Sequence, residues 1–143
     1  MISLPDISDL YFDSIQIGKL KLNSFGQNSK IAGEIYTVSC SDDNSIVKST
    51  LSREGNNKIL VIDAAGVCHA SMVGDQIAES AALNNWTGIF VNGYIRDAEA
   101  LRSIDIGIFA RGVAPRKTEK QGHGFEDIMI SFGGTVMHSG NWL

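Results

Sequence analysis

The sequence is poor in the residues that would point to several common functional classes. It has only two cysteines, Cys40 and Cys68, which form no CxxC pair, so neither a disulfide framework nor a cysteine-rich zinc site is expected. Lys and Arg number 12 against 16 Asp and Glu, and no basic cluster indicates a nucleic-acid partner. No apolar run reaches the about 18 residues of a membrane span, and residues 1–6 do not resemble a signal peptide. We therefore expect a cytoplasmic protein without a nucleic-acid or membrane partner.

Glycine, in contrast, is abundant, with 15 of the 143 residues, whereas only two residues are proline. The glycines are scattered along the chain, which indicates many tight connections rather than a flexible linker. No internal repeat and no shift in composition marks a boundary. The length lies in the range of one domain, so we expect a single domain over residues 1–143.

Short β-branched runs alternate with helical patterns along the chain. Strands are predicted at 31–40, 58–63, 88–93, 106–110, 128–132 and 135–138, and the last two are joined as a hairpin by Gly133 and Gly134. Helices are predicted at 45–53, 75–84 and 97–103. Buried strands that alternate with helices favour parallel β-α-β units, and the hairpin adds antiparallel strands. The predicted class is α/β with a mixed sheet.

Candidate site residues gather at two predicted turns that lead into helices. They are Gly74, Asp75, Gln76 and Ile77 at the first turn and Arg96 and Asp97 at the second. In α/β sheets, ligands collect at the carboxyl ends of strands, where helix N-termini present free N–H groups. The 20 residues of 76–95 suffice for one helix and one strand, so the chain can return beside its starting point. We expect the two turns to share one site.

These residue types suit a reaction that passes through an enolate. An arginine can bind a substrate carboxylate, and one or two aspartates can hold a hard divalent cation as a Lewis acid. Unpaired N–H groups of Gln76 and Ile77 can hold the second carboxylate oxygen. The alternative is structural: Asp75 and Asp97 are helix N-caps, and Arg96 forms a surface ion pair. The residues alone leave both interpretations open.

A longer stretch of the chain resembles the RraA-like family. The segments that carry the resemblance are 74–79 (Gly-Asp-Gln-Ile-Ala-Glu), 85–97, 104–107, 115–118, 132–136 and 139–143. They follow in one register from about Phe25 to the end of the sequence. The family includes 4-hydroxy-4-methyl-2-oxoglutarate aldolases and regulators of ribonuclease E activity.

The resemblance implies a swivelling β/β/α domain that forms a homotrimer, in some members a dimer of trimers, with active sites between subunits. It implies that Asp97 ligates a divalent metal, Mg²⁺ or Mn²⁺, and that Arg96 binds the pyruvyl part of a small 2-oxo acid. Asp75 would orient metal-bound water, and backbone groups from Gly74 to Ile77 would contact the substrate carboxylate. The sequence ends at Leu143, before the acidic strand with which the family usually continues.

Two functions follow from this resemblance. The first is a metal-dependent lyase (a class II pyruvate aldolase) that cleaves 4-hydroxy-4-methyl-2-oxoglutarate into two pyruvates and decarboxylates oxaloacetate as a secondary reaction. The second is a protein-binding regulator of ribonuclease E, or of an associated helicase, that needs no metal. Regulators can lack the metal-binding aspartate, so the intact Arg96–Asp97 pair favours the enzyme. No glycine-rich loop followed by an acidic strand end supports S-adenosylmethionine binding, so a methyltransferase is not expected.

Overall fold

A mixed β-sheet is the central feature of the computed structural model, which describes residues 2–143. The helices are α1 (Leu4–Leu10), α2 (Ser45–Leu51), α3 (Asp75–Leu83) and α4 (Ala98–Leu101). The strands are β1 (Asn23–Ser24), β2 (Ile35–Ser39), β3 (Ile59–Asp63), β4 (Ser71–Val73), β5 (Gly88–Ile95), β6 (Gly107–Val113), β7 (Phe125–Glu126), β8 (Ile130–Phe132) and β9 (Thr135–Met137). Seven strands form one sheet in the order β1-β6-β5-β3-β2-β7, with β4 paired to β5, while β8 and β9 form a separate hairpin.

The predicted mixed α/β class is confirmed by the strand directions. Strands β2, β3, β5 and β6 pair in parallel, and the connections between them contain α2, α3 and α4. Strands β1 and β7 pair antiparallel at the two edges. A parallel connection needs a crossover long enough to return to the same edge of the sheet, and the helices provide it.

Alternate residues of β3 contribute to two separate cores, one on each face of the sheet. Leu60 and Ile62 belong to the larger cluster, which also contains the buried apolar side chains of α2, α3 and α4. Ile59 and Val61 belong to the smaller cluster, which includes Ile130 of the β8–β9 hairpin. Because both faces are covered, the strand is apolar at nearly every position. Helices, sheet and hairpin thus form three successive layers.

The nine predicted elements are all present, with shifted ends. The largest changes are a shorter strand in the predicted segment 31–40, where β2 covers only Ile35–Ser39, and a shorter helix in 97–103, where α4 covers only Ala98–Leu101. Four elements were not predicted: α1, β1, β4 and β7. The three strands among them have two or three residues and lack the hairpin signal that marked β8 and β9, and β4 is the one that matters for the site.

Two further expectations concern membrane segments and cysteines. Within residues 2–143, no helix combines the length and the apolar character that a membrane crossing requires.

Both thiols are free, as expected: Cys40 is buried and Cys68 is exposed. Burial, with Asp63 and Asp43 nearby, raises the pKa of the Cys40 thiol to about 12. Cys40 is therefore a neutral core residue at physiological pH.

A buried carboxylate anchors the loop between β6 and β7. Asp43 is only 6% exposed. Its Oδ2 accepts the N–H groups of Gln121 at 2.7 Å and His123 at 3.1 Å, and its Oδ1 accepts the N–H and hydroxyl of Ser45. Burial opposes ionisation, but these hydrogen bonds outweigh it and hold the pKa of Asp43 well below its usual range. The ionised side chain therefore fixes the loop against the start of α2.

We expect Asp43→Asn to lower the free energy of unfolding by about 2 kcal/mol at pH 7, because the amide nitrogen cannot accept the hydrogen bonds that one carboxylate oxygen accepts. Urea denaturation measures this difference. The folded-state pKa is depressed, so the stabilisation is complete above the unfolded pKa of about 3.9 and declines as the pH falls below it. The difference in the free energy of unfolding between wild type and Asp43→Asn should therefore become smaller as the pH falls.

The matched control is Asp42→Asn, since Asp42 is the neighbouring carboxylate and its side chain is 57% exposed. Its pairing with His69 lies at the surface, so its loss should cost less than about 1 kcal/mol. Equal losses in the two variants would contradict the anchoring role of Asp43.

Candidate functional site

Two strand-to-helix turns lie side by side because the strands that precede them pair in parallel. Strand β4 pairs with the second half of β5, and Val73 lies opposite Ile95. The N–H of Arg96 donates to the carbonyl of Val73 at 3.0 Å. The turns 74–77 and 96–97 therefore leave the sheet at adjacent positions, each followed by a helix. The expected meeting of the two turns is found.

The carboxylate of Asp97 connects the two turns. Its Oδ2 accepts the N–H of Asp75 at 3.2 Å, and the Nε of Arg96 lies 3.7 Å from the same oxygen. Asp97 has φ 57° and ψ 37°, in the left-handed region that few residues other than glycine, asparagine and aspartate adopt. The side chains of Arg96 and Asp97 are 38% and 37% exposed, so a ligand can reach both.

Hydrogen-bonded helix capping, the structural alternative, does not account for either aspartate. The N-cap of α3 is Gly74, and Asp75 is the first residue of the helix. Asp97 occupies the N-cap position of α4 but its side chain makes no capping hydrogen bond. The N-cap assignment is therefore wrong for Asp75. Asp97 does occupy the N-cap position of α4, but its carboxylate bonds to the other turn instead of to its own helix.

The N–H groups at the start of α3 also differ in part from the prediction. The N–H of Gln76 donates to Oδ1 of Asp75 at 2.8 Å, so it is not unpaired as expected. The N–H of Ala78 is bonded to the carbonyl of Gly74 within the first helical turn. Among the described residues, the N–H of Ile77 has no hydrogen-bond partner. One free donor, rather than two, is thus available at this helix start.

Gly74 allows the two turns to approach each other. A Cβ added at this position would lie 2.8 Å from Oδ2 of Asp97 and 3.3 Å from Nε of Arg96. The backbone angles of Gly74, φ −121° and ψ −171°, are accessible to any residue. The position therefore requires a small residue for reasons of space and not of backbone conformation.

A cavity of about 210 Å³ opens beside the turns. Five of the six predicted site residues line it: Gly74, Asp75, Gln76, Ile77 and Arg96. Asp97 is not part of the lining and reaches the site through its contacts with the two turns. Sequence reasoning missed three lysines that also line the cavity: Lys48, Lys117 and Lys120. They come from α2 and from the loop after β6, and no local pattern connects these segments.

The site offers oxygen donors that suit a hard divalent cation. Neither Oδ1 of Asp97 nor Oδ2 of Asp75 makes a hydrogen bond within residues 2–143. Within the same range, no group of three or more His, Cys, Asp or Glu side chains could hold a metal ion. Mg²⁺ needs only one or two protein carboxylates and keeps several water molecules. The donor set fits such an ion, with water or substrate as further ligands.

We expect Gly74→Ala to separate the turns while the protein still folds, because the added methyl group displaces the Asp97 carboxylate. The Asp75 amide donates a hydrogen bond to that carboxylate. Its hydrogen exchange should become at least about tenfold faster, which is equivalent to a loss of about 1.4 kcal/mol in protection. Amide hydrogen exchange followed by NMR measures this. Gly18→Ala is the control, since its Cβ would have 3.8 Å of clearance. Unchanged exchange in Gly74→Ala would disprove the close contact.

Comparison with known proteins places this chain in a family. Residues 4–143 match the family model described as RraA-like, Aldolase/RraA. A Vibrio cholerae protein named "Putative 4-hydroxy-4-methyl-2-oxoglutarate aldolase" is 40% identical over 139 residues, which cover 97% of this chain and 86% of the relative. A Hahella chejuensis protein of the same name is 39% identical over 97% of this chain and 85% of the relative.

Solved structures share the fold of this chain but carry names that differ from those of the sequence relatives. The RNA-processing inhibitor RraA from Thermus thermophilus superposes with a TM-score of 0.94 at 30% identity, over 99% of this chain and 86% of that one. A Geobacillus kaustophilus structure named S-adenosylmethionine: 2-dimethylmenaquinone methyltransferase has a TM-score of 0.96 at 30% identity, over 99% and 88%. The names differ, whereas fold and sequence agree. The chain belongs to the RraA-like family.

Proposed function

We propose that the protein is a divalent-metal-dependent lyase that cleaves 4-hydroxy-4-methyl-2-oxoglutarate into two pyruvates and also decarboxylates oxaloacetate. The observation that carries this proposal is the contact between the turns, where Asp97 accepts the N–H of Asp75 and Arg96 lines the adjoining cavity. A cationic fork, carboxylate oxygens without partners and a helix start thus meet in one small site. The names of the Vibrio and Hahella relatives support the aldol cleavage.

Arg96 would bind the carboxylate of the 2-oxo acid. A guanidinium group can donate two parallel hydrogen bonds to a carboxylate, which fixes the orientation of the neighbouring carbonyl. The first turn of α3 adds the positive end of its helix dipole and the unpaired N–H of Ile77. These groups favour an anion at the mouth of the cavity.

A Mg²⁺ or Mn²⁺ ion is the proposed cofactor, with Asp97 as its protein ligand and Asp75 orienting a water molecule. When bound, the ion supplies Lewis-acid stabilisation for negative charge on the 2-oxo oxygen. Carboxylate and water oxygens are the ligands that such hard cations prefer. The small number of free protein oxygens here agrees with a catalytic ion whose other positions stay open.

The proposed cleavage breaks the C3–C4 bond of the substrate. The C4 hydroxyl group loses its proton, C4 becomes the carbonyl carbon of one pyruvate, and the bonding electrons move towards C3 to give the enolate of the second pyruvate. Protonation at C3 then completes that pyruvate. Asp75 would receive the hydroxyl proton through water. Oxaloacetate would release carbon dioxide and reach the same enolate.

We further propose a cytoplasmic homotrimer, or a dimer of trimers, as the assembly. Large apolar side chains stand exposed in the single chain, including Leu4 at 80%, Phe12 at 77% and Trp142 at 76%. Contact with other subunits would cover such surface. Light scattering that gives a stable monomer would contradict this part of the proposal.

Regulation of ribonuclease E by protein contact is the second candidate function. The name of the Thermus structure, an RNA-processing inhibitor, favours it. This function would need neither a metal ion nor an intact Arg96–Asp97 pair. The two candidates therefore differ in what happens when Asp97 is removed.

We expect Asp97→Ala to lose at least about 100-fold in magnesium-dependent pyruvate release from 4-hydroxy-4-methyl-2-oxoglutarate and from oxaloacetate, because the Lewis-acid stabilisation is lost. A coupled assay with lactate dehydrogenase measures pyruvate. Chelation of the metal should have the same effect on the wild type. Glu99→Ala removes an exposed carboxylate on α4 next to the site and should keep full activity.

Equal activity of Asp97→Ala and wild type would remove Asp97 from the mechanism. An inactive wild type that binds ribonuclease E, with the same affinity in Asp97→Ala, would establish the regulator instead.

A further inference from the structure

Three lysine side chains line the same cavity as the two turns. They are Lys48 of α2 and Lys117 and Lys120 of the loop after β6. Within residues 2–143, none of the three lies within 4.0 Å of a carboxylate oxygen. Their ammonium groups are therefore not committed to ion pairs within the chain, and the proposed reaction has so far given them no role.

The positive charge around the cavity exceeds what one substrate carboxylate can balance. The three lysines and Arg96 supply four cationic groups, whereas Asp75 is the only carboxylate in the lining and Asp97 adjoins it. A bound divalent cation would increase the imbalance. A pyruvyl group brings a single negative charge. A small cavity with surplus positive charge favours a ligand that carries a second anionic group.

The side chain and the backbone of Asn44 hold the segments that carry Lys48 and Lys117. Asn44 is 4% exposed, and its Nδ2 donates to the carbonyl of Met72 in β4 at 3.0 Å. Its Oδ1 accepts the hydroxyl of Thr118, next to Lys117, at 2.7 Å, and its carbonyl accepts the N–H of Lys48 at 3.0 Å. Asn44 thus connects the strand before the first turn, the helix α2 and the loop. The backbones that carry these lysines are fixed.

The loop is also fixed next to β4 and at its far end. Lys117 forms a parallel β-bridge with Ser71, which lies three residues before Gly74. At the rise of a strand, this places the bridge about 10 Å from Gly74. A lysine side chain and a small dicarboxylate can together span such a distance. Lys120 precedes Gln121, whose N–H is held by the buried carboxylate of Asp43.

We infer that Lys48, Lys117 and Lys120 form a subsite for the distal carboxylate of the substrate, so that the protein selects dicarboxylic 2-oxo acids over monocarboxylic ones. The inference rests on the proposed function, which puts the 2-oxo end at Arg96. Each ammonium group has three rotatable donors, so the subsite can receive a carboxylate in several orientations. Selectivity would then come from charge and distance rather than from a planar fork.

The catalytic test uses two aldols that differ only at the distal group. 4-Hydroxy-4-methyl-2-oxoglutarate carries the second carboxylate, and 4-hydroxy-4-methyl-2-oxopentanoate has a methyl group there and yields pyruvate and acetone. In the triple variant Lys48→Met, Lys117→Met, Lys120→Met, we expect KM for the dicarboxylate to rise about 100-fold, since charge-assisted hydrogen bonds are lost. The kcat/KM for the monocarboxylate should change less than about threefold, because its distal methyl group makes no hydrogen bond to the lysines that the variant could lose.

Two matched variants control for charge and for stability. Lys30→Met removes an exposed lysine that does not line the cavity, and it should leave KM and kcat/KM for both aldols unchanged. Replacement of the three lysines by arginine keeps the charge and should restore most of the preference for the dicarboxylate. An equal loss for the two aldols, or no loss for either, would overturn the subsite.

A binding measurement separates this inference from the proposed function. 2-Oxoglutarate has both carboxylates but no C4 hydroxyl group, so the proposed cleavage cannot act on it. Calorimetry in the presence of Mg²⁺ should show that the wild type binds it at least about tenfold more tightly than pyruvate, and that the triple lysine-to-methionine variant does not. An inactive wild type with this binding difference would refute the lyase and keep the subsite.

Two results would refute the subsite whatever the activity. The first is equal affinity of the triple variant and the wild type for 2-oxoglutarate. The second is no preference for 2-oxoglutarate over pyruvate, together with binding of an acidic peptide such as oligoglutamate that the triple variant loses. That result would assign the lysines to protein contact.

Discussion

The parallel pairing of β4 with the second half of β5 is the constraint on which the site depends. Strand β3 occupies the first half of β5, from Gly88 to Asn92, and ends there. The short β4 then pairs along the remaining part and sets Val73 opposite Ile95. Without that register, the two turns would leave the sheet at different heights, and no single side chain could connect them. The position of the site therefore depends on a strand of three residues, β4.

At both turns, residues depart from the conformations and capping bonds that are usual at such positions. Asp97 adopts a left-handed conformation that costs most residues about 1–3 kcal/mol and aspartate less. Its carboxylate leaves its own helix uncapped and bonds to Asp75. Gly74 provides space that any larger residue would fill. Such local exceptions are expected where a structure has to position polar groups for a ligand. They persist because the paired strands and the packed helix layer hold the surrounding backbone.

Much of this arrangement could be predicted from the sequence. The buried strands show as β-branched runs, and Gly74, Asp75, Arg96 and Asp97 stand at recognisable strand-to-helix turns. Strand β4 could not be predicted, because its three residues show no period, lack a hairpin signal such as Gly133 and Gly134 between β8 and β9, and do not reveal a pairing partner. The lysines could not be predicted either. The contact of Asn44 with Thr118, 74 residues apart, brings their segments together. Long-range contacts of this kind are determined by tertiary packing and leave no local signal.

The turns 74–77 and 96–97, separated along the chain by a helix and a strand, are proposed to form one ion and ligand site. Paramagnetic broadening of backbone amide signals by Mn²⁺, recorded with pyruvate present, can detect such a shared site. We expect the amides of 74–77 and of 96–98 to broaden together at low Mn²⁺, while those of the β8–β9 hairpin on the opposite face of the sheet stay sharp. Broadening at one turn alone, or at neither, would contradict it.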